Sequence, residues 1–411
     1  MKLGYRSTVS SIAIVRLLLC ASAWSSLTAD KASGSGSPQD VSIPFMAAEA
    51  PDYNNQAIEK MLHDSIGLRK KGTGYAVFDW DNTCMFGDIS QTAVHYQVEH
   101  LNFRIPPSKF YEVMAMGYDH DLADACVPHG VHSVIGSNTQ GDDVTFNDVL
   151  TSLVADYAWL YEVYIAASYD VKDAGYSRKP HNPPMSLEEV KQDSAYVNFR
   201  AKLAYLIFGL EGAKGSNEHQ TCAVTITMTV LTKLLYGMTE AELRDMIRRS
   251  MSANLQAELG SLSFISDDTL RVRGEYPIGL RVFNGQETVM QALRENDIDV
   301  YVISASPQVF VEEAGRLAGL SYGVPEANIY GVRFQWDSDG KFTSTLVQDY
   351  PITWGPGKAQ IVEQFLKPAH SNEAPLFASG DSSGDCEMLA TVRDGVVHVN
   401  NRLKSSTDCI Q

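Results

Sequence analysis

The sequence predicts an α/β fold: a doubly wound parallel sheet core with an inserted, mostly α-helical cap. Three observations predict it. An apolar run, Tyr75-Ala76-Val77-Phe78, ends in the polar cluster Asp79-Trp80-Asp81-Asn82-Thr83. After Gly279, short apolar runs alternate with stretches of helical spacing. Between Ile89 and about Leu280 that rhythm gives way to long helical periodicity. Strands alternating with helices imply a parallel sheet covered on both faces, joined by right-handed connections.

The elements follow in order. Residues 1–23 read as a signal peptide. Lys2 and Arg6 give a basic start, positions 11–20 are mostly apolar although Arg16 interrupts them, and Ala21-Ser22-Ala23 fits a cleavage site. The expectation is an exported protein, secreted or periplasmic. Residues 24–45 form a flexible linker, rich in Gly and Ser. Core segments span 46–88 and 281–411, and the cap spans 89–280. A helix is expected over 54–68. No later segment has ~18 unbroken apolar residues, so no integral membrane segment is expected after signal cleavage.

Six cysteines are present. Cleavage after Ala23 would leave Cys84, Cys126, Cys222, Cys386 and Cys409, an odd set with at least one free thiol. Cys126 and Cys222 could pair; Cys84 and Cys386 read as small buried hydrophobes.

Within the cap, helices are expected over 90–101, 147–167, 187–210 and 239–259. Ser186 with Glu189, and Thr239 with Glu242, form capping boxes. Residues 126–143 are Gly-, Asn- and Asp-rich and read as a loop, and 221–235 reads as a buried helix. The aromatics Tyr157, Trp159, Tyr161, Tyr164, Tyr169, Tyr196 and Phe199 fall at helical spacing, which favours packing over a cation-binding box. His95, His100, His129 and His132 share no metal-ligand spacing and read as surface or loop residues.

After Gly279 the expected order is helix 286–295, strand 300–303, helix 307–320, strand 329–335, a turn at Asp337-Ser338-Asp339-Gly340, and strand 342–347. Then come helix 358–366, strand 375–379, helix 385–392 and strand 396–399.

The polar clusters stand at strand ends or helix starts. Asp79 and Asp81 lie on one side of their strand at the carboxyl edge of the sheet, where ligands of open α/β folds bind. Two carboxylates that close ask for a cation or a shared proton. Ser304-Ala305-Ser306 ends the second strand. Lys358 follows Gly355-Pro356-Gly357 at a helix start, where a cation is out of place. Gly380-Asp381-Ser382-Ser383-Gly384-Asp385 ends a further strand.

The order Asp…Asp, Ser, Lys, Asp…Asp resembles the haloacid dehalogenase (HAD) superfamily of phosphatases. Asp79, Asp81 and Thr83 meet its DxDxT motif. The resemblance covers roughly residues 74–90 and 275–402, with the insertion at the family's first (C1) cap position. The phosphoserine phosphatase and bacterial phosphorylcholine phosphatase branch looks nearest.

This resemblance implies a Rossmann-like core and a Mg²⁺-dependent phosphomonoesterase. Its substrate would be a small phosphomonoester, phosphorylcholine or phosphoethanolamine first and phosphoserine next. Asp79 would be the nucleophile, and Asp81 the general acid and then base. Mg²⁺ would be held by the Asp79 and Asp381 carboxylates and the Asp81 backbone carbonyl. Ser304 would donate to the phosphoryl oxygen, with Ser306 the second candidate, and Lys358 would neutralise phosphate.

Thr83 would hold the turn or cap a helix. Asp385 would bond metal waters or Lys358, or cap the helix that follows. Asp88, nine positions after Asp79, would face a substrate amine or cap helix 90–101. Rival readings are a broad-specificity exported acid phosphatase and a non-catalytic exported binding protein of the same fold. The formal charge of −17 argues against nucleic acid as a partner.

Overall fold

The computed structural model describes residues 74–115, 130–208, 231–317, 322–393 and 395–400. The expected signal peptide, linker, helix 54–68, Cys126, Cys222, Cys409 and His129 lie outside them, as does most of helix 221–235.

Five parallel strands make the central sheet: β1 (Tyr75–Phe78), β2 (Asp299–Pro307), β3 (Ile329–Val332), β4 (Phe377–Gly380) and β5 (Val396–Val399). Their order is β5-β4-β1-β2-β3. The chain builds outward from β1 to β2 and β3, then returns to β1's other side for β4 and β5. β1 is therefore the switch point, where the loops leaving the strand ends diverge and open a crevice.

Side-chain alternation gives the sheet two packed faces. Ala76, Phe78, Val300, Val302 and Phe377 face one core. Tyr75, Val77, Ile303 and Ala378 face the other. Helices α6 (Asn284–Glu295) and α7 (Gln308–Gly315) cover the first face through Val289, Leu293, Phe310 and Val311. Helices α8 (Pro356–Ile361) and α9 (Cys386–Leu389) cover the second through Ile361, Met388 and Leu389. Burial on both faces explains why β1 reads as an unbroken apolar run. Each large side chain there, such as Phe78, contributes roughly 1.5–3 kcal/mol.

The inserted region carries α1 (Ile89–Glu99), α2 (Pro107–Ala115), α3 (Phe146–Leu160), α4 (Ser194–Phe208) and α5 (Glu240–Asn254). α3 continues through a π-helical turn, Tyr161–Ile165, into Ala166–Tyr169. Both expected capping boxes form, on Leu187–Val190 and on α5. The expected helix 187–210 is broken: Asp193 accepts the Ala195 N–H at 2.8 Å and starts α4 afresh.

Most of the aromatic candidates are packing. Tyr157, Tyr161, Tyr196 and Phe199 lie in the insertion's own core, with Trp159, Tyr164 and Tyr169 packed against it. Phe110 stacks on Tyr157 at 4.0 Å. α5 belongs elsewhere: Leu243, Met246, Ile247 and Met251 join the core beneath the sheet.

Several expectations need correction. The insertion contains strands, in the hairpins Val134–Ser137 with Asp143–Thr145 and Gly260–Ile265 with Arg273–Ile278. The second packs one side on α4 and leaves most of Gly260–Ile265 exposed, so no apolar alternation marks it. The expected strand 329–335 is two elements: β3, and Phe334–Trp336, which turns away to pair with Phe342–Leu346. The turn between these follows the Asp-Gly expectation, with Asp337 accepting from the Asp339 and Lys341 amides.

His95 is not a surface residue. Its ring tilts against Tyr276 at 5.3 Å, and burial lowers its pKa. Cys84 is a buried free thiol as expected, but Cys386 is disulfide-bonded. Among the described residues no helix is long and apolar enough to cross a membrane.

Candidate active site

The carboxyl ends of β1, β2 and β4 and the start of α8 converge on Asp79. Its backbone N–H donates to Ser379 O at 2.9 Å, which fixes it to the sheet. Lys358 Nζ donates to Asp79 Oδ1 at 2.5 Å, and Thr83 Oγ1 donates to Asp79 Oδ2 at 2.9 Å. Thr83 thus holds the carboxylate directly and caps no helix. It can reach back because Asn82 adopts φ 60 and turns the chain sharply.

Lys358 Nζ also donates to Asp385 Oδ1 at 2.6 Å. Asp385 Oδ2 accepts from the Asp381 N–H, the Ser382 N–H and the Ser382 hydroxyl at 2.9, 3.0 and 3.2 Å. Asp385 is therefore the brace of its own loop as well as the lysine's second partner. Close backbone approach explains the glycines. A Cβ on Gly357 would lie 1.7 Å from Ile352 O, and one on Gly380 would lie 2.6 Å from Asp385 Cβ. The two loops are tied by Gly355 N–H donating to Gly384 O at 3.0 Å.

Asp81 points elsewhere. Its Oδ1 accepts the Ile89 N–H at 2.8 Å, and its Oδ2 accepts from Ser306 Oγ at 2.7 Å. Ser304 Oγ stands 3.4 Å from that same oxygen. Asp88 caps α1, accepting from the Ser90 and Gln91 amides at 2.8 and 2.9 Å.

Electrostatics separate these carboxyls. Burial, then the charge of Asp385, raises Asp79 well above the ordinary carboxylate range, with Lys358 opposing. Burial and the nearby Asp88 raise Asp81, against the Ile89 and Ser306 hydrogen bonds. Asp385 is buried too, but Lys358 and its amide donors outweigh burial and lower it. Burial alone would lower Lys358; Asp385 and Asp79 reverse that and keep it charged.

One carboxylate oxygen from each of Asp79, Asp381 and Asp385 lies within 4.8 Å of the others. Three buried carboxyl groups here outnumber the one ammonium among them. That hard, all-oxygen set fits a divalent cation such as Mg²⁺. The Asp81 carboxylate is not in this group.

Some residues that shape the site carried no sequence signal. Asn400 Nδ2 donates to Asn82 O and Thr83 O, clamping the turn after Asp79. Behind it, Gln286 bonds Ser379, His398 and Asn400. Ser90 donates to Ser306.

No family model matches the chain, and no curated protein matches it. Solved structures do. A conserved protein of unknown function from Anaerococcus prevotii DSM 20548 matches with a TM-score of 0.65 at 22% identity, over 85% of this chain and 85% of that one. A HAD family hydrolase from Salmonella enterica serovar Typhi matches at 0.34 and 11%, over 84% of this chain and 71% of that one. A phosphoserine phosphohydrolase-like protein from Francisella tularensis matches at 0.26 and 14%, over 50% and 73%. At such identities the likeness is one of fold, and the match to the Anaerococcus protein carries it.

Proposed function

We propose that the chain is a Mg²⁺-dependent phosphomonoesterase of the HAD type, working through a phosphoaspartate at Asp79. One observation carries this reading. Asp79 sits at the sheet's switch point, gripped by Lys358 on one oxygen and Thr83 on the other, with a second carboxyl two residues on. A binding module has no need of Asp81.

An Asp79 oxygen attacks phosphorus, and the bond from phosphorus to the ester oxygen breaks. The Asp81 carboxyl gives its proton to that leaving oxygen. Water then attacks the phosphoaspartate, its proton returns to Asp81, and inorganic phosphate leaves. Lys358 offsets charge on the phosphoryl group, and the Ser304 hydroxyl stands at the end of β2 to donate to it. Asp79 and Asp381, with Asp385 beside them, would hold the cation, which when bound supplies positive charge to the phosphoryl oxygens.

The substrate is a small phosphomonoester. Phosphorylcholine or phosphoethanolamine is favoured, with phosphoserine next, on the resemblance of Asp79-Trp80-Asp81-Asn82-Thr83 and Ser304-Ala305-Ser306 to that branch. Two observations favour a broad-specificity phosphatase as the second reading. The cap aromatics are used in packing, and Asp88 is engaged at the start of α1. Export remains part of the proposal, supported by the amino-terminal sequence and by the Cys386 disulfide.

The test is phosphate release from phosphorylcholine, phosphoethanolamine, phosphoserine and p-nitrophenyl phosphate, with Mg²⁺ and with EDTA, and Asp79→Asn as control. Metal-dependent turnover lost in the variant supports the reading. Equal rates on all four esters favour the broad enzyme. Absence of turnover by folded protein on all four counts against both.

A further inference from the structure

The two hydroxyls of Ser304-Ala305-Ser306, in the last stretch of β2, are not equivalent. Ser306 Oγ donates to Asp81 Oδ2 at 2.7 Å, whereas Ser304 Oγ makes only a long contact to that oxygen, at 3.4 Å, and accepts the Ser306 N–H at 3.0 Å. A serine hydroxyl has one proton. Ser306 spends it on Asp81, so the proton in its 2.7 Å contact with Ser90 Oγ comes from Ser90. Ser306 and Ser90 are 3% and 6% exposed, so water does not compete for these bonds.

Ile89 and Ser90 are the first two residues of α1, the helix that leads into the insertion. The start of α1 therefore grips both oxygens of Asp81: Oδ1 directly through the Ile89 N–H, and Oδ2 through Ser90 and Ser306. Asp88 completes the arrangement by capping the next two amides of the helix.

We infer that Ser306 and Ser90 form a hydroxyl relay that positions the Asp81 carboxyl toward the leaving oxygen. Ser306 is thus a positioning residue for the acid, and the phosphoryl role proposed above stays with Ser304, whose bond to Asp81 is the longer. The inference rests on the phosphatase reading above. A positioned acid is worth roughly 10²–10⁴ in rate, so loosening one of its holds costs part of that.

The leaving group discriminates. An alkoxide needs the acid's proton, whereas p-nitrophenolate departs without it. The experiment measures kcat/KM and KM for wild type, Ser306→Ala, Ser90→Ala and the double variant, on phosphoethanolamine and p-nitrophenyl phosphate with Mg²⁺. Thermal melting checks folding. Ser306→Ala is expected to lose about tenfold more on phosphoethanolamine than on p-nitrophenyl phosphate, with KM unchanged. Ser90→Ala shifts the same ratio in the same direction by less, so misfolding of one variant leaves the other to decide. The double variant matches Ser306→Ala, because Ser90 acts only through Ser306.

Equal losses on both esters with a raised KM would mean that Ser306 binds the phosphoryl group, overturning the relay. Additive losses in the double variant would overturn the part given to Ser90. An active wild type with Ser306→Ala unchanged defeats the relay alone. A wild type inactive on every ester defeats the phosphatase reading and the relay with it.

Discussion

Lys358 Nζ stands 2.5 Å from Asp79 Oδ1, joining two residues 279 positions apart. The lysine is 2% exposed and opens a helix, where positive charge is normally unfavourable. Asp79 and Asp385, which it bridges, reverse that balance.

Removing this cation should be felt in stability and activity. Lys358→Met leaves Asp79 and Asp385 buried without their partner. Loss of one member of a buried ion pair costs about 3–5 kcal/mol. Chemical denaturation should show a loss of that order, and phosphate release should fall at least ~100-fold. A variant of wild-type stability would mean the pair is not the site's organising contact.

The carboxylate cluster should bind a divalent cation. Mg²⁺ is expected to raise the melting temperature of the wild type, since a ligand that binds only the native state stabilises it. Asp381→Asn should abolish that shift while the apo protein melts as before or higher, because a buried like charge has gone. A Mg²⁺ shift undiminished in Asp381→Asn would place the ion elsewhere.

The part of this site that was legible in the sequence is the part written in local spacing. Asp79, Asp81 and Thr83 fall within five positions of one strand end, and Lys358 stands out against its own helix start. The sequence ranked Ser304 ahead of Ser306 for the phosphoryl group, but the contact of Ser306 with Ser90 was not legible, because α1 delivers Ser90 from 216 residues earlier. Gln286, Ser379, His398 and Asn400 had no signal at all, since the bonds from Gln286 that gather the other three span 93 and more positions. In the fold, alternating strands and helices revealed the parallel sheet. They did not reveal the hairpin Gly260–Ile265 with Arg273–Ile278, whose outer strand is mostly exposed and so lacks apolar periodicity. For Asp88 the sequence offered a helix cap or a substrate amine, and the cap is the role that the structure shows.

Gly357 should resist substitution for reasons of space. In Gly357→Ala the new Cβ would meet the Ile352 carbonyl at 1.7 Å, so the loop must move and carry Lys358 with it. Small misplacements of a catalytic group cost about 100-fold. The expected result is folded protein with activity down by roughly that factor. Full activity would show that the loop yields without moving the lysine.

His398 should give stability a pH dependence. Burial lowers its pKa to about 4, against about 6.5 unfolded. Between those values the unfolded chain binds the proton and the native ring does not. Stability is therefore full above about pH 6.5 and falls as pH drops toward 4. The upper bound is about 3 kcal/mol, reduced by solvent screening because the residue is half-buried. His398→Gln should lose less stability than wild type between pH 7 and pH 4.5 in urea titrations. Parallel losses in both proteins would acquit His398.

The most direct measurement is to trap the covalent intermediate. Wild type mixed with p-nitrophenyl phosphate and Mg²⁺ is quenched in acid within the first turnovers, and its peptides are read by mass spectrometry. The account predicts phosphate on the peptide carrying Asp79, absent in Asp79→Asn. Turnover by the wild type with no phosphorylated peptide, or undiminished hydrolysis by Asp79→Asn, would contradict it.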